Sequence, residues 1–382
     1  VSVWDVVVGQ TVVPVMQAAV ADAAVEGPGM THAWLVTGPP GSGRSVVARA
    51  FAAALQCTQE PPGCGTCSAC RTALAGSHPD VVLVTTQELA IKVDLVRDLV
   101  RRAALRPAHG RWQVMVVEDA DRLTEEAADA LLLSIEEPPP RTVWVLCAPA
   151  AEDIPPTIRS RCRIVAMRTP PAADVAAFLV AEGVDPAMAA FAARAAQGHI
   201  GRARALATDE QARLRRDEVL RLPTRLGDVA SALAAAAALL EAAEADAAAY
   251  CDGLDAAENE NLVAVIGQGR ARVRGSASMA KDLEKAQKGR RTRTTRDVLD
   301  RALVDVLGFY RDVLRVQSGN DADLINDEMR PSIQRLARAT TPTVTGRRMQ
   351  AVVAAREALA ANAAPLLTLE ALALALRGPQ RP

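Results

Sequence analysis

Short apolar runs alternate with helical patterns from Thr31 to Met167, and beyond Pro171 only helical periodicity remains. HAWLV (32–36), DVVLV (80–84), WQVMVVE (112–118) and TVWVLCA (142–148) are continuous and mostly valine-rich. Strands buried on both faces read this way, so the runs predict a parallel sheet built from βαβ units. Between them, SVVARAFAAALQ (45–56), VDLVRDLVRRAAL (93–105) and TEEAADALLLSIEE (124–137) carry helical spacing. The last opens on Thr124 as an N-cap, holds acids in its first turn and stops before Pro138-Pro139-Pro140. Residues 172–207 predict a small helical unit, and 208–382 a separate all-helical domain.

Composition narrows the functional classes. The 382 residues suffice for two or three domains, and a net charge of −1 argues against whole-protein attraction to nucleic acid or membrane. The first ten residues, VSVWDVVVGQ, lack a basic start followed by an apolar run, and acids interrupt the alanine tract 230–249. The expectation is a soluble cytoplasmic protein with no membrane partner. Only four of 44 basic residues are lysine, so arginine is favoured at any basic position.

TGPPGSGRS (37–45) is one residue from the phosphate-binding pattern GxxxxGK[ST]. It follows a predicted strand and opens a predicted helix, the context in which such a loop works. Gly38, Pro39, Pro40, Gly41, Ser42 and Gly43 would wrap backbone N–H groups around phosphate oxygens, and Ser45 keeps a hydroxyl for Mg²⁺. Arg44 stands where lysine is expected. Arginine is longer and forked, so it is compatible with a held nucleotide whose γ-phosphate is poorly placed, or with drift in an arginine-rich chain. Glu118 and Asp119 end the third predicted strand in an order inverted from the usual Asp-then-Glu. The shorter Asp119 would fall ~1.5 Å short of a glutamate's reach, where a ~1 Å error costs ~10²-fold in rate. A solvated acidic strand end is the alternative.

Cys57, Cys64, Cys67 and Cys70 form C-x6-C-x2-C-x2-C, with Pro61, Pro62, Gly63 and Gly65 supplying turns. Four thiolates at this spacing predict one closed tetrahedral structural zinc. An iron–sulfur cluster is the rival, but the pattern lacks a close fourth cysteine followed by proline. Cys147 and Cys251 read as packing residues.

IPPTIRSRCRIVAM (154–167) predicts a short helix leading through Arg159, Arg161 and Arg163 into a last strand. Together with VVVGQ, GPPGSGRS, the four cysteines, HPD (78–80) and VVEDADRLTEEAADALLLSIEEPP, this order of motifs resembles the bacterial clamp-loader subunits of DNA polymerase III. The motifs cover about residues 1–207; beyond that the likeness is one of domain layout. The resemblance implies an AAA+ P-loop domain with a zinc-binding insertion (1–168, zinc module 57–70), a helical lid (169–207) and an all-α collar (208–382). It also implies a heteropentameric ring with gamma/tau and delta subunits, a sliding clamp (beta) as partner, and primed DNA as the substrate on which the clamp is placed.

Within that family Arg161 maps to an arginine finger that reaches a neighbour's ATP, and Arg202 is the nearest match to a sensor arginine, displaced by one residue. The polar sensor after the fourth strand falls on Ala148 or Pro149, and neither side chain can hydrogen-bond. Arg44, the inverted Glu118-Asp119 pair and this loss favour the non-motor delta prime branch, with weak or absent intrinsic ATPase and ATP or ADP with Mg²⁺ in the loop. The alternatives are a gamma/tau-type motor and an unrelated zinc-bearing AAA+ recombination protein. The basic segment 281–296, with Lys281, Lys285, Lys288, Arg290, Arg291, Arg293 and Arg296, reads as a phosphate contact or as a salt-bridged part of the collar. It holds no aromatic residue to stack on bases.

Overall fold

A computed structural model describes residues 2–377 except 26, 28, 86–89 and 268–275. The chain divides into two compact units, Val1–Thr208 and Asp209–Pro382.

In chain order the first unit contains α1 (Val13–Ala24), β1 (Ala33–Thr37), α2 (Arg44–Gln56), α3 (Ser68–Leu74), β2 (Val81–Val84), α4 (Val93–Ala103), β3 (Gln113–Val117), α5 (Glu125–Glu136), β4 (Thr142–Ala148), α6 (Pro156–Arg159), β5 (Arg163–Ala166), α7 (Ala172–Ala181), α8 (Pro186–Ala195) and α9 (Ile200–Thr208). All strand pairs are parallel and the sheet order is β2-β3-β4-β1-β5. The four apolar runs became β1 to β4, and Thr124 accepts from the Ala127 amide to cap α5 as its sequence predicts. Helix α1 and the short α3 within the cysteine loop have no counterpart in the sequence expectations.

Continuous apolar strands are required because both faces of the sheet are covered. Trp34 and Val36 of β1 join Val143, Val145 and Cys147 of β4 in the cluster beneath α1 and α2. Ala33 and Leu35 join Trp144, Leu146 and Ala148 in the cluster that includes α4 and α5. Alternation along each strand thus feeds two cores from one sheet. With few aromatics available, α2 is buried from Ala50 through Gln56 by alanines that let neighbouring elements approach closely, and Phe51 meets Trp34 edge-on at 5.2 Å.

The HPD segment ties this unit together. Asp80 is buried and accepts from the amides of Ala108 (2.7 Å), His109 (2.8 Å) and Gly110 (2.5 Å), closing the loop before β3. The Asp80 amide donates to Nδ1 of His78 at 3.1 Å. Burial opposes ionisation of Asp80, yet the three amides outweigh it and hold its carboxyl below the usual value. Burial holds the His78 imidazole below its usual value too.

The second unit is all-helical: α10 (Glu210–Arg225), α11 (Val229–Gly267), α12 (Ser276–Gln317), α13 (Arg330–Ala339), α14 (Pro342–Ala360) and α15 (Pro365–Arg377). Helix α11 packs against α12 and α15, and α12 also packs against α13 and α14. Leu299, Leu303, Val306, Phe309, Tyr310 and Val313 form the buried stripe of α12. No helix among the described residues is long and apolar enough to cross a membrane. A polar network crosses this core. Fully buried Asp312 accepts from the amides of Ile325 (3.0 Å) and Asn326 (2.8 Å) and from Asn326 Nδ2 (2.9 Å), while Asn326 Oδ1 accepts from buried Arg216.

All four tryptophans lie in the first unit and both tyrosines in the second, so intrinsic fluorescence separates their unfolding. Asp312→Ala strands three buried donors and is expected to lower the stability of the second unit by about 3 kcal/mol, with the tryptophan transition unmoved. Urea unfolding followed at both wavelengths checks this. For the first unit, both shifts have the same sign. A folded pKa below the unfolded one gives stability that is present above the unfolded value and lost as pH falls. The tryptophan transition should therefore weaken first below pH 6.5, as His78 is forced to charge, and again below pH 3.8, as Asp80 is protonated. His78→Gln should flatten the upper limb and Asp80→Asn the lower.

Candidate nucleotide and metal sites

The phosphate-type loop hangs from the end of β1, where three strand ends converge. Thr37 is level with Ala148 of β4, and the Gly38 amide donates to the Pro149 carbonyl at 3.1 Å. Gly43 then takes φ 95°, a left-handed conformation that glycine adopts without penalty, and caps α2. The first amides of α2 face the loop as an anion-binding helix terminus. Ser42 is buried, and its Oγ has no hydrogen-bond partner among the described residues.

Three of the protein's own groups hold this loop. The Arg44 guanidinium turns back and donates to the Gly38 carbonyl. Gln10, from the VVVGQ segment, donates through Nε2 to the Ser42 carbonyl (3.2 Å) and to the Arg168 carbonyl (2.8 Å), and accepts from the Arg168 amide (3.1 Å). From the other side the Ile200 amide donates to the Gly41 carbonyl at 3.3 Å. A Cβ on Gly41 would lie 2.2 Å from the His199 ring, so only glycine admits this approach of the helical segment. Arg202 lies on the first turn of α9, and its amide donates to His199 Nδ1 at 3.2 Å.

The acidic strand end is equally occupied. Glu118 follows β3, its side chain only 12% exposed, and one oxygen, Oε1, accepts from Arg49 Nε (2.9 Å) and Nη2 (2.7 Å). Arg49 lies one helical turn beyond Ser45 on α2, which aims both at the strand ends. Burial pushes the Cys147 thiol beneath them up to about 12, with Glu118 and Asp119 raising it and Arg44 and Arg49 lowering it. Asp121, next along the chain, is raised by burial and by Asp119, and lowered by Arg44. Ala148 and Pro149, level with these groups, contribute only apolar side chains.

Arg161 stands apart. β5 starts level with Trp34 and ends level with Thr37, so the SRC turn lies at the opposite end of the sheet from the loop, about 13 Å of strand away. Its side chain is 40% exposed, and its guanidinium pairs with Glu136 Oε1 at 2.6 Å and donates to the Thr157 carbonyl at 2.7 Å. Of the basic segment, buried Arg290 pairs with Asp255 and Glu258, Arg291 with Asp252 and Asp255, Arg293 with Asp297, and Arg296 with Asn362. Those arginines serve the helical unit, while Lys281, Lys285 and Lys288 are exposed along α12.

Cys57 at the end of α2, Cys64 in the loop, and Cys67 and Cys70 at the start of α3 bring their four Sγ atoms within 4.8 Å of one another. Cys57 Sγ lies 3.7 Å from that of Cys64 and 4.0 Å from that of Cys67. Sulfurs about 2.3 Å from a tetrahedral metal stand about 3.8 Å apart, so the group fits a metal and is far from disulfide spacing. Backbone amides of Gln59, Cys67 and Cys70 point at the sulfurs of Cys57, Cys64 and Cys67, an arrangement that stabilises thiolates. The N-terminal segment buttresses the module, with the Val3 amide donating to the Gly63 carbonyl at 2.9 Å.

Sequence reading singled out the loop, the acidic pair, the cysteines and Arg161. It missed Arg49, Gln10, His199 and Glu136, whose roles arise from contacts between distant segments. Arg49 alone left a sequence signal, its four-residue spacing from Ser45.

The five-stranded parallel sheet, with a glycine loop leading from β1 into α2, is an α/β fold of the P-loop type, followed by an all-helical unit. Residues 18–171 match the family described as DNA polymerase III, delta subunit. The delta prime subunit of Pseudomonas aeruginosa is 40% identical over 136 residues, 34% of this chain and 41% of that one. The Escherichia coli delta prime subunit is 36% identical over 145 residues (37% and 43%), and the Mycobacterium tuberculosis gamma/tau subunit 34% over 154 (39% and 26%). A gamma subunit-related protein of Thermotoga maritima aligns with 90% of this chain and 98% of its own at 16% identity, with a TM-score of 0.36. The chain spans about two fifths of the length of the delta prime relatives it matches. Through residues 18–171 the chain is thus similar to clamp-loader subunits of DNA polymerase III.

Proposed function

We propose that the chain is a delta prime-type subunit of the clamp loader. In this reading it is a non-motor AAA+ scaffold with core 1–168, lid 169–207 and collar 208–382. It joins gamma/tau and delta subunits in a ring that places the sliding clamp on primed DNA, and it lends Arg161 to the ATP of a neighbouring subunit. The observation that carries this reading is the contrast between two sites. The chain's own loop has Arg44 turned onto Gly38, Glu118 tied to Arg49, and no polar side chain at Ala148 or Pro149. Arg161, by contrast, is exposed at the far end of the sheet from that loop, where a partner's nucleotide would have access to it. A guanidinium in trans stabilises charge developing on the transferred phosphoryl group. The local loop retains its amide cradle and buried Ser42, which support a nucleotide held for structural reasons.

The gamma/tau match at 34% identity favours a second reading, a motor that hydrolyses ATP itself. Turnover by the isolated chain that is abolished by Ser45→Ala would select it.

The four-cysteine module is proposed to hold structural zinc through Cys57, Cys64, Cys67 and Cys70. A bound zinc would cross-link α2, the turn and α3, and its four sulfur ligands leave no position open for catalysis.

Arg161→Ala should leave assembly of the reconstituted loader intact and lower turnover at the adjoining site by about 10³-fold. Unchanged steady-state hydrolysis would reject the finger role. Elemental analysis should find one zinc per chain, and Cys70→Ser should lose it and lower the melting temperature of the tryptophan transition. An unchanged metal content in that variant would reject the assignment.

A further inference from the structure

The phosphate loop of a P-loop protein ordinarily works with a divalent cation, held by the hydroxyl after the loop and a carboxylate at the end of a neighbouring strand. The residues of this site do not fit that ion. The carboxylate nearest in kind, Glu118, is largely shielded from solvent, and Oε1 is already held by two nitrogens of Arg49 at 2.9 and 2.7 Å. Arg49 lies one helical turn beyond Ser45 on α2, and its guanidinium holds the carboxylate that a cation would have to share with the Ser45 hydroxyl. A second guanidinium, that of Arg44, closes onto the Gly38 carbonyl at the mouth of the loop. Glu118, Asp119 and Asp121 supply three negative charges at this strand end, and Arg44, Arg49 and Arg122 supply three fixed positive ones. Arginine cannot lose its charge at any pH a protein survives, so this compensation is permanent.

We infer that Arg49, together with Arg44, takes the place of the divalent cation, so that this loop binds the diphosphate of a nucleotide without Mg²⁺. The inference rests on the reading of the loop as a nucleotide cradle. Amides at the start of α2 and the two guanidinium groups supply the positive charge, and the carboxylates stay bound to arginine. Arg49 is a positioning residue here: it touches Glu118 and acts on the metal dependence through it. Its replacement frees Glu118 to accept a cation beside Ser45.

The test uses the full chain with a fluorescent ADP, titrated once in EDTA and once in excess Mg²⁺. The expected result is equal affinity in the two media for the unaltered protein. Arg49→Ala, and Arg49→Gln should the alanine variant not fold, are expected to bind at least 10-fold more tightly with Mg²⁺ than without. Glu118→Gln breaks the same ion pair but removes the anionic ligand, and its binding should stay independent of Mg²⁺. Binding by the unaltered protein that strengthens 10-fold or more with Mg²⁺ overturns the inference and leaves the cradle reading standing. Equal affinities with and without Mg²⁺ in both Arg49 variants also overturn it. Absence of ADP binding in both media overturns the cradle reading and the inference with it.

Discussion

The Gly38 amide, bonded to the Pro149 carbonyl, fixes where the glycine loop leaves the sheet. One residue earlier, the Thr37 carbonyl accepts from the Met167 amide, at the start of the segment that leads to the helices 172–208. The loop is thus registered on both sides by backbone, β4 on one and the exit of β5 on the other. This registration depends on β1 lying between two parallel partners, and that in turn depends on strands apolar enough to be covered on both faces. Gln10 and Ile200 then bond to carbonyls of a loop whose position is already set. The loop's position is therefore a product of sheet topology, which side chains such as Gln10 then reinforce.

Charge at the site follows a different rule from charge on the surface. Arg49 and Glu118 are partly withdrawn from water, so their attraction is less screened than that of exposed pairs such as Arg97 with Asp94. Removing one partner would leave the other insufficiently compensated, which makes the pair resistant to single changes. In the second unit a similar arrangement is internal: Asp312 accepts from Asn326, which accepts from Arg216, whose charge is paired with Glu328 and Asp305 inside an aliphatic helical core.

Much of this was legible in the chain because it rests on local chemistry. Valine-rich runs, a threonine before acidic residues, glycines at fixed spacing and four clustered cysteines each constrain the backbone within about ten residues of themselves. What could not be read was set by contacts across the fold. Nothing near Arg49 names Glu118 as its partner, 69 positions away, and nothing near Gly41 names His199. The basic segment shows the limit from the other direction. Its composition leaves open a phosphate contact or internal salt bridges, and only the fold pairs buried Arg290 with acids of α11. Short helices such as α1 and α3 escaped because alanine-rich or cysteine-bearing stretches carry little amphipathic contrast.

The arrangement around Glu118 also has an evolutionary consequence. Restoring lysine at position 44 would leave Glu118 bound to Arg49 and would leave Ala148 and Pro149 without a polar side chain. Replacing Arg49 alone would expose a carboxylate whose neighbour, Asp119, still stands in the inverted order. A single change toward a hydrolytic arrangement thus meets the other departures still in place, while the loop keeps its position through its backbone. A hydrolytic arrangement would therefore take several changes together, at positions 44, 49 and 119 and at 148 or 149.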